Sequence, residues 1–330
     1  MEKFNVINFH KTRDFSNKMN ATFEFIKQNF KPLSKSILVI AGPPILIASL
    51  LMGSFIGDMF SMTALATQGG NQFETYFTSP SLWLQILLIV VFFLVSGVGT
   101  IATINNYIVL YGEKRTNQIE VHEIWQRVRE TFWMYLGTML LFALLAVAVY
   151  ILMIIPVVLL AAISPFLIGF GIIALICGVI YFFVACSFVF IIRTYERVGF
   201  FESIKRSFIL IRGKWWSTFG LVFILYIIVG TVSYIFLIPW YAMTIAQSLH
   251  SVSTSSFQEP GTTYQIVTMV FFTLYYLAQM VMYAMPNVGI AFQYFNLVER
   301  KEARGLMSQI ESFGEAPTPP ASNNNIEETY

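Results

Sequence analysis

Charge is what this sequence has least of. Only 12% of its 330 residues are Asp, Glu, Lys or Arg, whereas 56% are apolar and the mean hydropathy is +0.67. A soluble domain carries roughly 25% charged residues, and a water-soluble core this apolar would leave no polar surface to cover it. The chain is therefore solvated by lipid, which excludes a soluble enzyme and a nucleic-acid binder with a basic face. Cysteine is nearly absent as well. Cys177 and Cys186 lie nine residues apart in one apolar run, about 13.5 Å along a helix and beyond disulfide reach. A disulfide-rich secreted module is excluded, and both cysteines read as packing residues. The three histidines are His10, His122 and His250, with no HExxH, no Cys/His cluster and no Gly-rich phosphate loop. With no base set beside an acid or a metal, no catalytic residue, metal site or cofactor is expected.

What is present is a set of six long apolar runs, at about 36–57, 82–110, 132–155, 166–192, 217–241 and 265–297, none with a charged residue in its central part. Runs near 20 residues cross a bilayer as helices, because lipid satisfies no free backbone group. A barrel would show short alternating strands instead. The fold class is all-α: a polytopic integral membrane protein with six transmembrane helices. All 20 Lys and Arg fall in alternate connections: seven up to Lys35, four in 111–131, six in 193–214 and three after Leu297. The three intervening connections hold none, only Asp58, Glu74 and Glu259. Cytoplasmic loops retain Lys and Arg, so both termini are expected inside. The first run begins too late, with Pro43-Pro44 inside it, for a cleaved signal peptide.

A short amphipathic stretch precedes each odd-numbered span. Phe15, Met19, Phe23, Ile26, Phe30 and Leu33 recur at helical spacing, with Lys18, Glu24, Lys27 and Gln28 elsewhere on the wheel. Val121, Ile124, Trp125, Val128 and Phe132 form a second stripe, and Phe201, Ile204, Phe208 and Ile211 a third. These predict three interfacial helices and three parallel units of two spans each, at about 14–115, 119–197 and 199–300. An N-terminal cytoplasmic segment (1–13) precedes the membrane domain (14–306). Residues 58–81 and 242–264 read as polar outward connections, 156–165 as a tight hairpin bracketed by Pro156 and Pro165, and 307–330 as a disordered tail.

No ionisable group lies at membrane depth, which argues against an ion-coupled carrier. Neutral polar groups do occur there. Ser96, Thr100 and Thr103 recur on span two beside Gly97 and Gly99, with Asn105-Asn106 at its inner end. Tyr275, Gln279, Tyr283, Asn287 and Gln293 form a stripe on span six, where Pro286 should kink the helix. Two readings stand: a polar groove for a headgroup or small solute, or helix packing with side chains bonding across the bundle. Gly53-xxx-Gly57 and Ala174-xxx-Gly178 favour packing. On the basic side, Arg193, Arg197, Lys205, Arg206, Arg212 and Lys214 lead into Trp215-Trp216. This is a candidate headgroup site, since Trp favours the interface and cations favour anionic lipid; ordinary anchoring is the alternative.

The stretch from Arg193 to Trp216, RTYERVGFFESIKRSFILIRGKWW, resembles the segment before the fifth helix in bacterial proteins related to the membrane domain of glycerophosphodiester phosphodiesterases. The stretch from Arg13 to Pro44 is similar to six-helix proteins of Bacteroidota. The resemblance covers about 14–300 and implies a bacterial inner-membrane protein. The phosphodiesterase catalytic barrel is absent, so its metal ligands and catalytic histidines do not carry over. The expected function is non-catalytic: a lipid-contacting scaffold or accessory subunit of a membrane complex, with phospholipids and a further membrane subunit as partners and no nucleic acid. The alternative is a transporter or flippase for a lipid-linked or neutral substrate.

Overall fold

The structure, a computed structural model, describes residues 6–66, 72–254, 262–303 and 307. It is helical throughout, with no strand among the described residues. The chain is a polytopic all-α membrane protein with six helical stretches long and apolar enough to cross a bilayer. The first is α1 (Phe15–Ile40) continued by α2 (Gly42–Ala66), and after the short α3 (Gln72–Thr78) the second is α4 (Pro80–Lys114). The third is α5 (Val121–Ile163), and the fourth is α6 (Leu167–Ala185) with α7 (Val189–Tyr195). After α8 (Phe200–Ile211), the fifth is α9 (Trp215–Tyr234) with α10 (Ile238–Thr254). The sixth is α11 (Thr262–Met282) with α12 (Ala284–Glu302). The tail expected to be disordered lies outside the described residues, Met307 apart.

Helix ends differ from the sequence reading in physically simple ways. Segments taken as polar connections are helical as far as Ala66, through α3, and from Ile238 to Thr254. Ser, Thr and Gln fit a helix once flanking apolar turns have paid for nucleation. The presumed hairpin loop shrinks likewise, because α5 runs through Pro156 to Ile163. All three amphipathic stretches are helical. The first lies within α1, the second is continuous with its span in α5, and the third stands alone as α8.

Three interruptions trace to proline, whose missing N–H leaves the carbonyl four residues back without its donor. Ala41 precedes Pro43-Pro44, a 3₁₀ turn at Ile235–Leu237 precedes Pro239, and Tyr283 precedes Pro286. Side chains take up carbonyls at these breaks and at the turn after Ala185. Ser96 Oγ donates to the Ala41 carbonyl (3.1 Å), Asn287 Nδ2 to the Tyr283 carbonyl (2.8 Å), and Ser207 Oγ to the Ala185 carbonyl (2.6 Å). The Ala41 and Tyr283 carbonyls also accept long backbone bonds from Ile45 (3.3 Å) and Asn287 (3.5 Å), so there the side chains add a second donor where lipid offers no water.

Helices α2, α4 and α11 pack side by side, α12 crosses α1 and α9, and α5 pairs with α4 and α6. Small residues set the closest approaches. A Cβ on Gly53 would lie 2.8 Å from the Met269 backbone, and one on Gly57 3.5 Å from Gln265. On α6 it is Gly171 and Gly178 that meet α5, at Val157 and Met153, whereas Ala174 points outward. Gly53→Ala is expected to destabilise the bundle by about 1–2 kcal/mol, because helix backbones must separate to admit the methyl group. A thermal melt in detergent reads the effect; an unchanged midpoint would show that α2 and α11 are not in this contact.

The core lies at the basic end. Phe25, Tyr107, Tyr111, Phe188, Phe292, Tyr294 and Phe295 are all buried there. The segment 1–13, read as preceding the membrane domain, packs into that core through Ile7 and Phe9. Phe9 stacks on Phe295 at 5.0 Å and meets Phe292 edge-on at 5.5 Å. The Ile7 N–H donates to Tyr111 Oη, and the Arg13 N–H donates to Asn296 Oδ1 at 2.7 Å. Residues 13 and 296 therefore lie together at one end of the bundle.

Candidate functional site

The polar chemistry of the chain begins with the orientation of α1. Of the apolar stripe that the sequence assigns to an interfacial helix, Phe15, Phe23 and Phe30 are exposed. The buried stripe is instead Lys18, Thr22, Phe25, Asn29, Leu33 and Ser36, spaced by four, three, four, four and three residues. An apolar stripe turns inward when the solvent is water. Where the solvent is lipid, apolar rings face out and polar groups find partners in the bundle. Helix α8 does so only in part: Ser203 and Ser207 are buried and Phe201 is exposed, but Phe200, Leu210 and Ile211 are buried too.

Lys18, which the sequence puts off the apolar stripe, is only 3% exposed. Its Nζ donates to Gln293 Oε1 at 2.6 Å and to Ser217 Oγ at 3.0 Å, and lies 5.7 Å from the Phe15 ring centroid. Gln293 Nε2 in turn donates to Thr218 Oγ1 at 2.8 Å. A cation is thus held between α1, α9 and α12 by neutral oxygen acceptors. About three turns on along α1, Tyr107 Oη donates to Asn29 Oδ1 at 2.9 Å. The spacing of polar residues along α1 was the available signal for this layer.

The polar stripe of span six divides. Gln279 and Tyr283 join Ser96, Thr100 and Tyr276 around a cavity of about 270 Å³. Tyr226 Oη donates to Tyr283 Oη at 3.1 Å. Tyr275 packs against Tyr234 at 5.8 Å, Asn287 serves the Tyr283 carbonyl, and Gln293 is fully buried beside Lys18. The five residues thus do not line one groove.

The basic cluster divides too. Arg193 donates to Thr138 Oγ1. Arg206 pairs with Glu196 at 3.1 Å and with Glu302, while Tyr294 Oη donates to Glu196 at 2.7 Å. Burial alone would lower the Arg206 pKa, but the hydrogen bonds to the two carboxylates outweigh it and raise it. Lys301 Nζ reaches across to the carbonyls of Ile209 and Arg212, which end α8 without intrahelical donors. Trp215 stacks between Tyr181 and Phe219. Lys205, Arg212, Lys214 and Trp216 remain at the surface.

Arg197 belongs elsewhere. It lines a cavity of about 530 Å³ beneath the N-terminal segment, with His10, Tyr111, Glu113, Arg115 and Tyr195. His10 Nε2 is 3.1 Å from Tyr195 Oη, and its Nδ1 is 4.0 Å from Glu299. Arg13 is buried alongside; burial lowers its pKa, the charge of Glu24 opposing. Two arginines and an imidazole there suit an anionic group more than a cation. Arg115, Arg197 and Ala303, at the ends of α4, α7 and α12, all have positive φ (51°, 56° and 48°); they fall at or within a few residues of the ends of the three two-span units. Among the described residues no group of three His, Cys, Asp or Glu is placed to hold a metal ion. No curated protein and no solved structure matches the chain. A family match does exist, spanning residues 30–295 and so most of the length: the chain belongs to the family described as Domain of unknown function (DUF7847).

Proposed function

We propose that the protein is a non-catalytic, lipid-contacting scaffold or accessory subunit of a bacterial inner-membrane complex, with both termini in the cytoplasm. The observation that carries this reading is the uneven distribution of packing. The basic end is closed by interlocked aromatic rings and by hydrogen bonds between helices. The outer part of the α5–α6 hairpin, by contrast, leaves most of its apolar surface without a protein neighbour in this chain. Ile163 is 75% exposed and Phe166 77% exposed, and Leu144, Leu152 and Ile173 are exposed as well. Such a flank meets lipid or another membrane helix, and no hydrophobic gradient separates the two. The charge asymmetry supports the orientation, since every Lys and Arg lies in the N-terminal segment, the tail or the even-numbered connections.

A photocrosslinking residue at Leu152 or Ile173 tests the scaffold role in intact membranes. A discrete heavier adduct, identified by mass spectrometry as one membrane protein, is expected. Adducts with lipid alone at both positions would overturn it. Cysteines placed at Glu74 and Lys205 test the orientation and should be modified from opposite sides; modification from a common side would refute it.

A carrier for a lipid-linked or neutral substrate is the second reading. It draws on the cavity beside Gln279, where uncharged polar side chains from α4 and α11 face one another.

A further inference from the structure

We propose that the groove between α2, α4 and α5 seats one acyl chain of an anionic glycerophospholipid, with Arg129 holding the phosphate. This deepens the lipid-contacting role and rests on it. The groove encloses about 540 Å³, within the roughly 300–1,000 Å³ of small-molecule sites. Its floor is Phe92, Val95 and Gly99 of α4, and one wall is Pro43, Pro44 and Ile47 of α2. These groups offer an alkyl chain contact and no hydrogen bond. Gly99 lets α4 lie close against the start of α2, since a Cβ there would be 3.3 Å from Ala41.

The opposite wall carries the recognition. Trp125, Arg129 and Trp133 all line the groove and recur every four residues, on one face of α5. Arg129 lies eight residues into α5, about 12 Å along its axis, and just before the apolar run that begins at Phe132. That is headgroup level on the basic side, where indole rings concentrate. Arg129 is also available. Its neighbour Arg127 is bound by Glu113 at 2.5 Å, whereas among the described residues no carboxylate is within ion-pair distance of Arg129. An exposed guanidinium between two exposed indoles, above an apolar trough, is complementary to a phosphate ester with an alkyl tail.

The test uses the full chain in nanodiscs containing a trace of phosphatidylglycerol or phosphatidylcholine with a diazirine in the acyl tail. Labelling should concentrate on residues 40–47 and 92–99, above the level on α6 at Phe170–Ile173. Arg129→Gln should lower phosphatidylglycerol labelling there about fivefold, as loss of one interfacial cation implies, with a smaller change for phosphatidylcholine. Val95→Phe, which fills the floor, should lower labelling by both lipids. Labelling unchanged by both substitutions, or crosslinks between two copies of the chain through this groove, would overturn the proposal. Label on α6 with none in the groove also refutes the seat but leaves the lipid-contacting role standing. No label on either would remove that role itself. Equal α6 labelling in all variants confirms that they are folded.

Discussion

Phe9→Ala is expected to destabilise the protein by about 3–5 kcal/mol, the range for truncating a buried aromatic ring. The side chain is in no helix, yet it touches four rings: Phe25, Tyr111, Phe292 and Phe295, at centroid separations of 5.0 to 6.2 Å. Those rings come from α1, α4 and α12, so the cavity left by truncation would open at the junction of three helices and could not collapse without moving all of them. Phe9→Leu should cost much less, because it keeps most of the volume. Equilibrium unfolding in mixed micelles measures both variants. If alanine at position 9 shifted stability by less than about 0.5 kcal/mol, a range typical of surface sites, the segment before α1 would not be part of the core.

The second large effect is an asymmetry at the buried cation. Gln293→Leu removes the acceptor from Lys18 and the donor to Thr218, and should cost about 2–4 kcal/mol, the sum of one charged and one neutral hydrogen bond. Lys18→Met removes the charge itself. It abolishes the desolvation penalty of the ammonium group along with its bonds, so its net cost should be below about 1 kcal/mol. The double variant Lys18→Met with Gln293→Leu should recover most of the stability lost in Gln293→Leu alone. A double-mutant cycle by the same unfolding assay decides the matter. Equal, additive losses would mean that Lys18 is solvated and not held by Gln293.

The contrast between these positions shows what a linear sequence discloses. Spans were legible because a bilayer imposes one demand, about 20 apolar residues, that needs no tertiary context. The proline breaks were partly legible: Pro286 marks its interruption, yet Asn287, one residue on, looked like a groove residue when its amide serves the Tyr283 carbonyl. The faces were illegible by the ordinary rule. Phe23 and Phe30 define an apolar stripe that would turn inward in water, and Lys18 and Asn29 a polar one that would turn outward; lipid reverses both. The basic cluster misled for another reason. Charge counting cannot tell Arg206, held by Glu196 and Glu302, from Lys205 next to it, which faces outward. Trp125, Arg129 and Trp133 were all visible as letters, but the trough they overlook exists only once α2 and α4 are in place.

The contact between Phe9 and Phe295 also sets an order of events during synthesis. The Phe9 ring has to wait for one made 286 residues later. At about 5–20 residues per second that interval is on the order of 15–60 s. Throughout it Phe9 lacks Phe292 and Phe295, and the inner ends of α1 and α4 are without the helix that covers them. The fold cannot lock before α12 is made, so nascent chains halted before it should be the species that membrane proteases and chaperones encounter.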